Sequence, residues 1–430
     1  MKQDYHLLVV GSEISGLVAA YLAAKNKLRV LILDKGELAC NADICGTTII
    51  DEATIALIDK TLTEEMPFER ILNTKSFICA GTEGFIELRR KHDADPETTN
   101  DTYIFDKAMF IDWLIELAEE AGAEFQSNVI AKKSIIEDGQ FVGVEIHTGF
   151  EYRALLTLIN DDQQSNLLRE FHPEQDIDVR NNLIIASELL KSTKSKINSA
   201  FNLDNDAGAS VLITGASKLS CLANLYTFNE NLQLNVLILP NENEKPISEI
   251  DAMQALDEIK NHMSLASIFK STKVKDRTVD VVNFAPDFNA HSIFGNGYLI
   301  TGESANLNSP LNRENVKAQV LSGIFAAETA SICDKQERAD KKFSGNYFNK
   351  LKESKVFGAI KHSNKLLKYL QNNPQFFNEY PQGMVKYSNS KMNDVSNADD
   401  DRTAFEEFSE ISGGFFNLLK DFAGLRNRLK

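Results

Sequence analysis

The run Tyr5-His6-Leu7-Leu8-Val9-Val10, followed by Gly11-Ser12-Glu13-Ile14-Ser15-Gly16, decides the fold. An apolar strand meets a glycine turn, and residues 17–25 continue as a helix. Leu28-Arg29-Val30-Leu31-Ile32-Leu33 then reads as a second buried strand that ends at Asp34. This is a βαβ unit of about thirty residues closing on an acid. In such a unit the first glycine makes a tight turn and the middle one lets backbone approach a pyrophosphate. The last lets the helix pack on the sheet, the helix N-terminus attracts phosphates, and the acid holds a ribose hydroxyl. Here the middle position is Glu13. Like charges at about 4 Å, with an effective dielectric near 20, repel by roughly 4 kcal/mol.

Bulk properties narrow the classes. The 430 residues allow two or three domains with real cores. Hydrophobic residues make up 43% and charged residues 25%, an ordinary globular mix. The net charge of −16 argues against a nucleic-acid partner held by phosphate attraction. The five cysteines, Cys40, Cys45, Cys79, Cys221 and Cys333, suit a reducing compartment, so a cytoplasmic location is expected. They form no iron–sulfur run, and Cys40 and Cys45 do not match C-x-x-C, so both read as ordinary thiols. His291 reads as a plain polar contact and no metal site is expected. Strand one begins almost at once, so no signal peptide is expected. No uninterrupted apolar run reaches about 18 residues, so no transmembrane segment is expected.

Along the chain, residues 36–75 mix loop and helix, and 76–81 with 85–89 alternate as a hairpin. A helix over 106–121 places Phe110, Trp113, Leu114 and Leu117 on one face. Strands at 123–126, 129–136, 141–147 and 154–159 read as a parallel strand followed by a β meander, with the chain returning to the main sheet at 155–159. A second region, roughly 166–290, alternates strands (183–190, 209–215, 222–228, 232–239) with a helix at 248–261. Residues 298–303 make a late strand ending in glycine and acid, followed by a long helix near 313–331. From 340 on, the pattern is helical and amphipathic, with a polar acidic run at 394–401.

Three separated segments now agree: the glycine βαβ unit, the strand ending at Ile159-Asn160-Asp161, and the late strand–Gly–Glu–helix element. Together they resemble the FAD site of the glutathione-reductase-like flavoproteins. Within these the chain resembles the FixC-type electron transfer flavoprotein–quinone oxidoreductases and their geranylgeranyl-reductase relatives. Residues 103–114 are similar to that family's second flavin segment. Gly295-Asn296-Gly297-Tyr298-Leu299-Ile300-Thr301-Gly302-Glu303-Ser304-Ala305 is similar to its G-x-G-(hydrophobic)-G-D-A-A element, and residues 366–381 to its C-terminal helices. The resemblance implies an α/β fold: a discontinuous FAD-binding Rossmann-like domain at 1–80, 102–165 and 292–335, an inserted α+β substrate or quinone domain at 166–291, and a helical region at 340–430.

It also implies FAD as cofactor. Gly11, Ser12, Glu13, Ser15 and Gly16 would line the pyrophosphate turn, with Asp34 and Lys35 at the adenosine ribose. Lys107 stands where the family often has an arginine, and Gly302 and Glu303 stand at the ribityl chain, where an aspartate is usual. Asn315 stands where the family places a glycine beside the ring. Asn160-Asp161-Asp162 replaces the family's A-D-G. The implied partners are an electron transfer flavoprotein, a quinone and a separate ferredoxin-like protein. The amphipathic stretch 415–425, followed by Arg426, Arg428 and Lys430, suits either a helix docked on the core or peripheral contact with a membrane. Two other readings stand beside the electron-transfer one: a non-catalytic descendant with a decayed FAD site, and an isoprenoid reductase.

Overall fold

The computed structural model describes residues 4–36, 49–91, 101–161, 166–171, 182–240, 247–283, 293–307, 309, 311, 315–393, 406, 409 and 421. The opening unit is β1 (Tyr5–Val10), α1 (Ile14–Lys25) and β2 (Val30–Leu33). Then come β3 (Ile49–Asp51), α2 (Glu52–Ile58), β4 (Arg70–Gly81), β5 (Gly84–Lys91), β6 (Thr102–Ile104) and α3 (Lys107–Glu120). Next comes β7 (Glu124–Gln126), followed by a meander of β8 (Ala131–Glu137), β9 (Gln140–Ile146) and β10 (Glu151–Ile159). The middle of the chain carries α4 (Asn166–Phe171), β11 (Asn182–Lys191), α5 (Lys194–Phe201), β12 (Ala207–Thr214), β13 (Cys221–Thr227) and β14 (Asn231–Ile238). It ends with α6 (Glu249–Asn261), α7 (Ala266–Phe269) and β15 (Lys273–Asn283). The chain returns through β16 (Phe294–Gly295) and β17 (Tyr298–Ile300), then runs into α8 (Asn315–Gln336), α9 (Lys341–Glu353), α10 (Lys355–Gln371) and α11 (Glu379–Asn393).

The first sheet has the order β16-β17-β10-β1-β2-β7, with β9 and β8 carried on β10. Its central pairings, β10 with β1 and β17, and β2 with β1 and β7, are parallel. Alternation sorts the side chains. Leu7, Val9, Val30 and Ile32 face a core shared with α1, α3 and α8. Leu8, Val10, Leu31 and Leu33 face the opposite core with Phe141, Val144 and Ile146 of the meander. Both faces are covered, which is why β1 and β2 read as unbroken apolar runs.

The second sheet has the order β15-β11-β14-β13-β12-β4-β6-β3, with β5 paired to β4. It therefore crosses the boundaries expected from the sequence. Strands β3 to β6, expected with the 1–80 and 102–165 segments, pair with the middle of the chain through the parallel β4–β12 ladder. The 11-residue strand β15 was also not expected. It is an edge strand in which Lys275, Asp276, Arg277 and Asp280 interrupt the valines, and charge of this kind discourages further pairing. On one face of this sheet α6 packs against β11 and β14.

Glu188 of β11 is fully buried in this layer. Arg277 Nη2 lies 2.5 Å and Lys260 Nζ 2.7 Å from its carboxylate, and each cation also reaches Asp257 at 3.1 Å. At the C-terminus the described residue Asp421 is helical and buried. It accepts from Tyr380 Oη and Gln375 Nε2, each at 2.6 Å, and its carbonyl accepts from Tyr369 Oη at 2.8 Å. This point of the tail is docked on the helices. The rest of 415–425, the run 394–401, Cys40, Cys45 and His291 lie outside the described residues. Cys79, Cys221 and Cys333 are free and buried, and burial pushes their thiols up to about 11, 12 and 12, as inert structural cysteines require.

Removing Glu188 leaves two cations facing each other in the layer. Glu188→Ala is expected to destabilise the chain by about 3 kcal/mol. Thermal melting followed by circular dichroism checks this, and an unchanged midpoint would refute the anchoring role.

Candidate functional site

The C-terminal edge of the first sheet gathers three distant segments around Asn160, which follows β10 directly. Its amide N–H donates to Val10 O at 2.8 Å and its Nδ2 to Glu13 O at 3.0 Å. Its Oδ1 accepts from Ser15 Oγ, and from Thr301 Oγ1 at 3.0 Å. Asn160 is 1% exposed, and Ser15 and Thr301 are fully buried. Gly11 (φ +101°) turns against the Asn160 carbonyl so closely that a Cβ would collide with it, and a Cβ at Gly16 would collide with the Asn160 side chain. The two fingerprint glycines therefore work as packing glycines around one asparagine. The sequence placed Asn160 at a strand end of the expected FAD site, as a departure from the family's A-D-G, without singling out its side chain. Its signal was a polar residue placed one step past a strand with no exposed position in its second half.

Most of the expected residues come together here. Ser12 Oγ donates to Asp34 Oδ1 at 2.7 Å, and Gly36 N donates to Asp34 Oδ2 at 3.0 Å. Lys35 pairs with Asp161 at 3.7 Å on the rim. Gly302 starts a short 3₁₀ turn and donates its N–H to Ser322 Oγ of α8 at 3.2 Å. Two expected residues are turned inward. The Ser15 hydroxyl is spent on Asn160 and Thr301, and the Asn315 side chain clamps the Ser309 backbone, accepting from its N–H at 3.0 Å and donating to its carbonyl at 2.8 Å. Asn315 therefore fastens the loop before α8.

Charge is concentrated in the centre. Glu13 is the N-cap of α1, yet its side chain makes no capping bond. It reaches instead to Lys107, with Oε2 and Nζ 2.9 Å apart and side-chain exposures of only 13% and 6%. Asp106 fixes the lysine's position by capping α3 through the Ala108 and Met109 amides. Glu303 lies on the other side and accepts from Gln319 Nε2 at 3.2 Å. Burial pushes the Glu303 carboxyl above the usual carboxylate range. Lys107 opposes that shift, while Glu13 and the Gln319 bond act in opposite senses. Gln319 Oε1 is a buried acceptor that receives no hydrogen bond, whereas Glu13 Oε2 has the Lys107 ammonium against it. Nearby, a small cavity opens between Lys317 in the first turn of α8 and the second sheet, where Asp51, Thr54, Lys75 and Thr102 line it. Among the described residues no group of three or more potential ligands could hold a metal ion.

The fold and this edge define a Rossmann-like dinucleotide fold of the glutathione-reductase type. A family model described as an NAD(P)-binding Rossmann-like domain matches residues 9–40. The chain is FixC-like: it is 23% identical to the FixC protein of Salmonella typhi over 424 residues, covering 98% of each chain. A geranylgeranyl bacteriochlorophyll reductase-like protein from Thermoplasma acidophilum superimposes with a TM-score of 0.70 at 16% identity, over 98% of this chain and 99% of that one. The myxobacterial chondrochloren halogenase CndH, an FAD-dependent halogenase, does so at 0.62 and 14%, over 96% of each chain. At these identities the structural likeness speaks for the fold.

Asn160→Ala would remove the Nδ2 bond to the Glu13 carbonyl and the shared acceptor of the Ser15 and Thr301 hydroxyls. The expected cost is about 3 kcal/mol. It would be read as a melting midpoint lower by several degrees, and a midpoint equal to that of the unaltered chain would show that Asn160 does not hold the edge together.

Proposed function

We propose that the protein is an FAD-dependent oxidoreductase of the FixC type. It would pass electrons from an electron transfer flavoprotein to a quinone or a separate ferredoxin-like protein. The observation that carries this reading is the convergence of Gly11–Gly16, Asn160–Asp161 and Thr301–Glu303 on one sheet edge, in a chain similar to FixC proteins from end to end. The fit to FAD differs along its length. At the adenosine end, the Asp34 carboxylate at the close of β2 suits a ribose, with Lys35 beside it. In the middle, Lys107 and the N-terminus of α1 suit a pyrophosphate. Gly302 and Glu303 suit a ribityl chain. Glu13 opposes the fit as it stands, because its carboxylate already holds Lys107 and a pyrophosphate brings further acceptors and negative charge.

Bound flavin supplies the redox chemistry, accepting electrons and handing them on. The chain's part is to hold and orient the cofactor. The cavity between α8 and the second sheet is the natural approach for an electron acceptor. No described helix is long and apolar enough to cross a membrane, so a quinone would be reached by peripheral contact with a membrane. One specific observation favours the alternative of a non-catalytic descendant acting in binding or assembly: an ion pair stands where the pyrophosphate would lie. An isoprenoid-reductase activity is the third reading, supported by the fold shared with the Thermoplasma protein.

Titration of flavin-free protein with FAD tests the proposal. Saturable micromolar binding, a raised melting temperature and a yellow complex absorbing at about 450 nm are expected. A colourless protein that no added FAD alters would exclude both enzyme readings. Detergent-dependent reduction of a quinone analogue would then separate the electron-transfer reading from the isoprenoid one.

A further inference from the structure

The cluster at the sheet edge has an unusual count of charges. Lys107 pairs with Glu13 at 2.9 Å, and the buried Glu303 carboxyl is near enough for both charges to act on it. The other described charges at this end have partners of their own. Asp34 is bonded to Ser12 and Gly36, Lys35 pairs with Asp161, Asp106 caps α3, and α8 faces Glu303 with the neutral Gln319. With both carboxylates ionised the cluster carries one net negative charge. A pyrophosphate with two negative charges would bring that to minus three around one lysine.

We propose that Glu13 is a resident counter-ion of Lys107 that the FAD pyrophosphate displaces, and that loading takes up a proton from solvent onto the Glu13–Glu303 carboxylates. This rests on the FAD reading above and adds what that reading lacks, a way to place an anion beside Glu13. Three observations carry it. Glu13 is the N-cap of α1, so its backbone cannot leave the place where phosphates meet the helix. Its carboxylate is held inside the cleft by the lysine and does not lie in solvent. Glu13 Oε2 has the Lys107 ammonium against it, so a pyrophosphate that takes the lysine leaves a buried carboxylate without its donor, and the incoming group brings none. A proton on a carboxyl oxygen supplies the missing donor. The balance is simple: the Glu13–Lys107 ion pair, the pyrophosphate and one H⁺ give a lysine–phosphate contact and one carboxylic acid, and the only covalent bond formed is O–H. Burial already pushes Glu303 toward its neutral form, in the same direction.

The sign follows from linkage. A ligand that raises a carboxyl pKa binds best when that carboxyl is protonated, so affinity is greatest at low pH and falls as pH rises through the free-state value toward the bound-state value. One proton taken up gives a change of about tenfold per pH unit. The experiment is calorimetric titration of the full, flavin-free chain with FAD at pH 6, 7 and 8, in phosphate and in Tris, which differ in ionisation heat.

For the native chain the expected result is an affinity that drops severalfold to tenfold per pH unit, with close to one proton absorbed. Glu13→Gln, which keeps the side-chain length and removes the charge, should bind at least tenfold more tightly at pH 8, with a flatter pH profile. Lys107→Met should cost more affinity in the Glu13→Gln background than in the native one, because there the lysine no longer serves a resident acid. Circular dichroism confirms that each variant is folded. FAD binding with no pH dependence, no proton uptake and no gain in Glu13→Gln would overturn this proposal and leave the FAD reading standing. Absence of FAD binding in both the native chain and Glu13→Gln at every pH would overturn both. Binding recovered only in Glu13→Gln would overturn the displacement, because native Glu13 would then block the site and not yield to the pyrophosphate.

Discussion

The side chain of Asn160 holds the working end of this molecule together. One amide joins the turn after β1, the end of β10 and the end of β17, three pieces separated by about 140 residues at each step. Ser15 and Thr301 are fully buried, so their bonds to Asn160 lie in a low dielectric where breaking them costs more than it would at the surface. The positions of Gly11, Gly16 and Thr301 are set by contact with this residue. Those in turn set where α1 begins, and so where Glu13 meets Lys107. Any change in the cofactor cleft that moves one of these three strands is transmitted to the other two.

The βαβ unit, the meander and the late strand were legible because each carries a local signal: buried runs, a glycine turn, or alternation. How the strands are shared between sheets was not legible. Strands β3 and β6 are three residues each, and β4 pairs with β12 across roughly 130 residues, so no window of sequence contains the pairing. Strand β15 was hidden by its charges, since Lys275, Asp276 and Arg277 mask the valine alternation that burial would have sharpened. At the site, residue types were legible and partners were not. Ser12, Asp34, Lys107 and Glu303 have partners that come from other segments or other turns. That Ser15 and Asn315 face inward follows from neighbours distant in the chain or buried with them.

Two buried charge clusters in this chain have opposite stoichiometry. Around Glu188 two cations serve one fully buried acid, with Asp257 completing the group at the surface side. Every charge there has an opposite neighbour, and the result is a rigid stitch between β11, β15 and α6. Around Lys107, among the described residues, one cation stands with two acids, Glu13 and Glu303. Desolvated charges of one sign in excess store repulsion, which a protein retains only where surrounding packing holds it. The first cluster belongs to the scaffold. The second lies at the mouth of the sheet, where a group arriving from solvent can change its balance.

The parallel β4–β12 ladder also bears on how the chain is made. Strand β4 is complete by residue 81, yet its central neighbour ends at residue 214. The first sheet is likewise unfinished until β17 at 298–300 lies beside β10. Neither layer can close while the N-terminal half emerges alone, so its apolar strands must wait, paired only with near neighbours, until some three hundred residues have been synthesised. Folding of this architecture is late and concerted, dominated by contacts of long sequence separation. The chain therefore has no natural halfway point at which a shorter ancestral or truncated form could hold the dinucleotide edge in place.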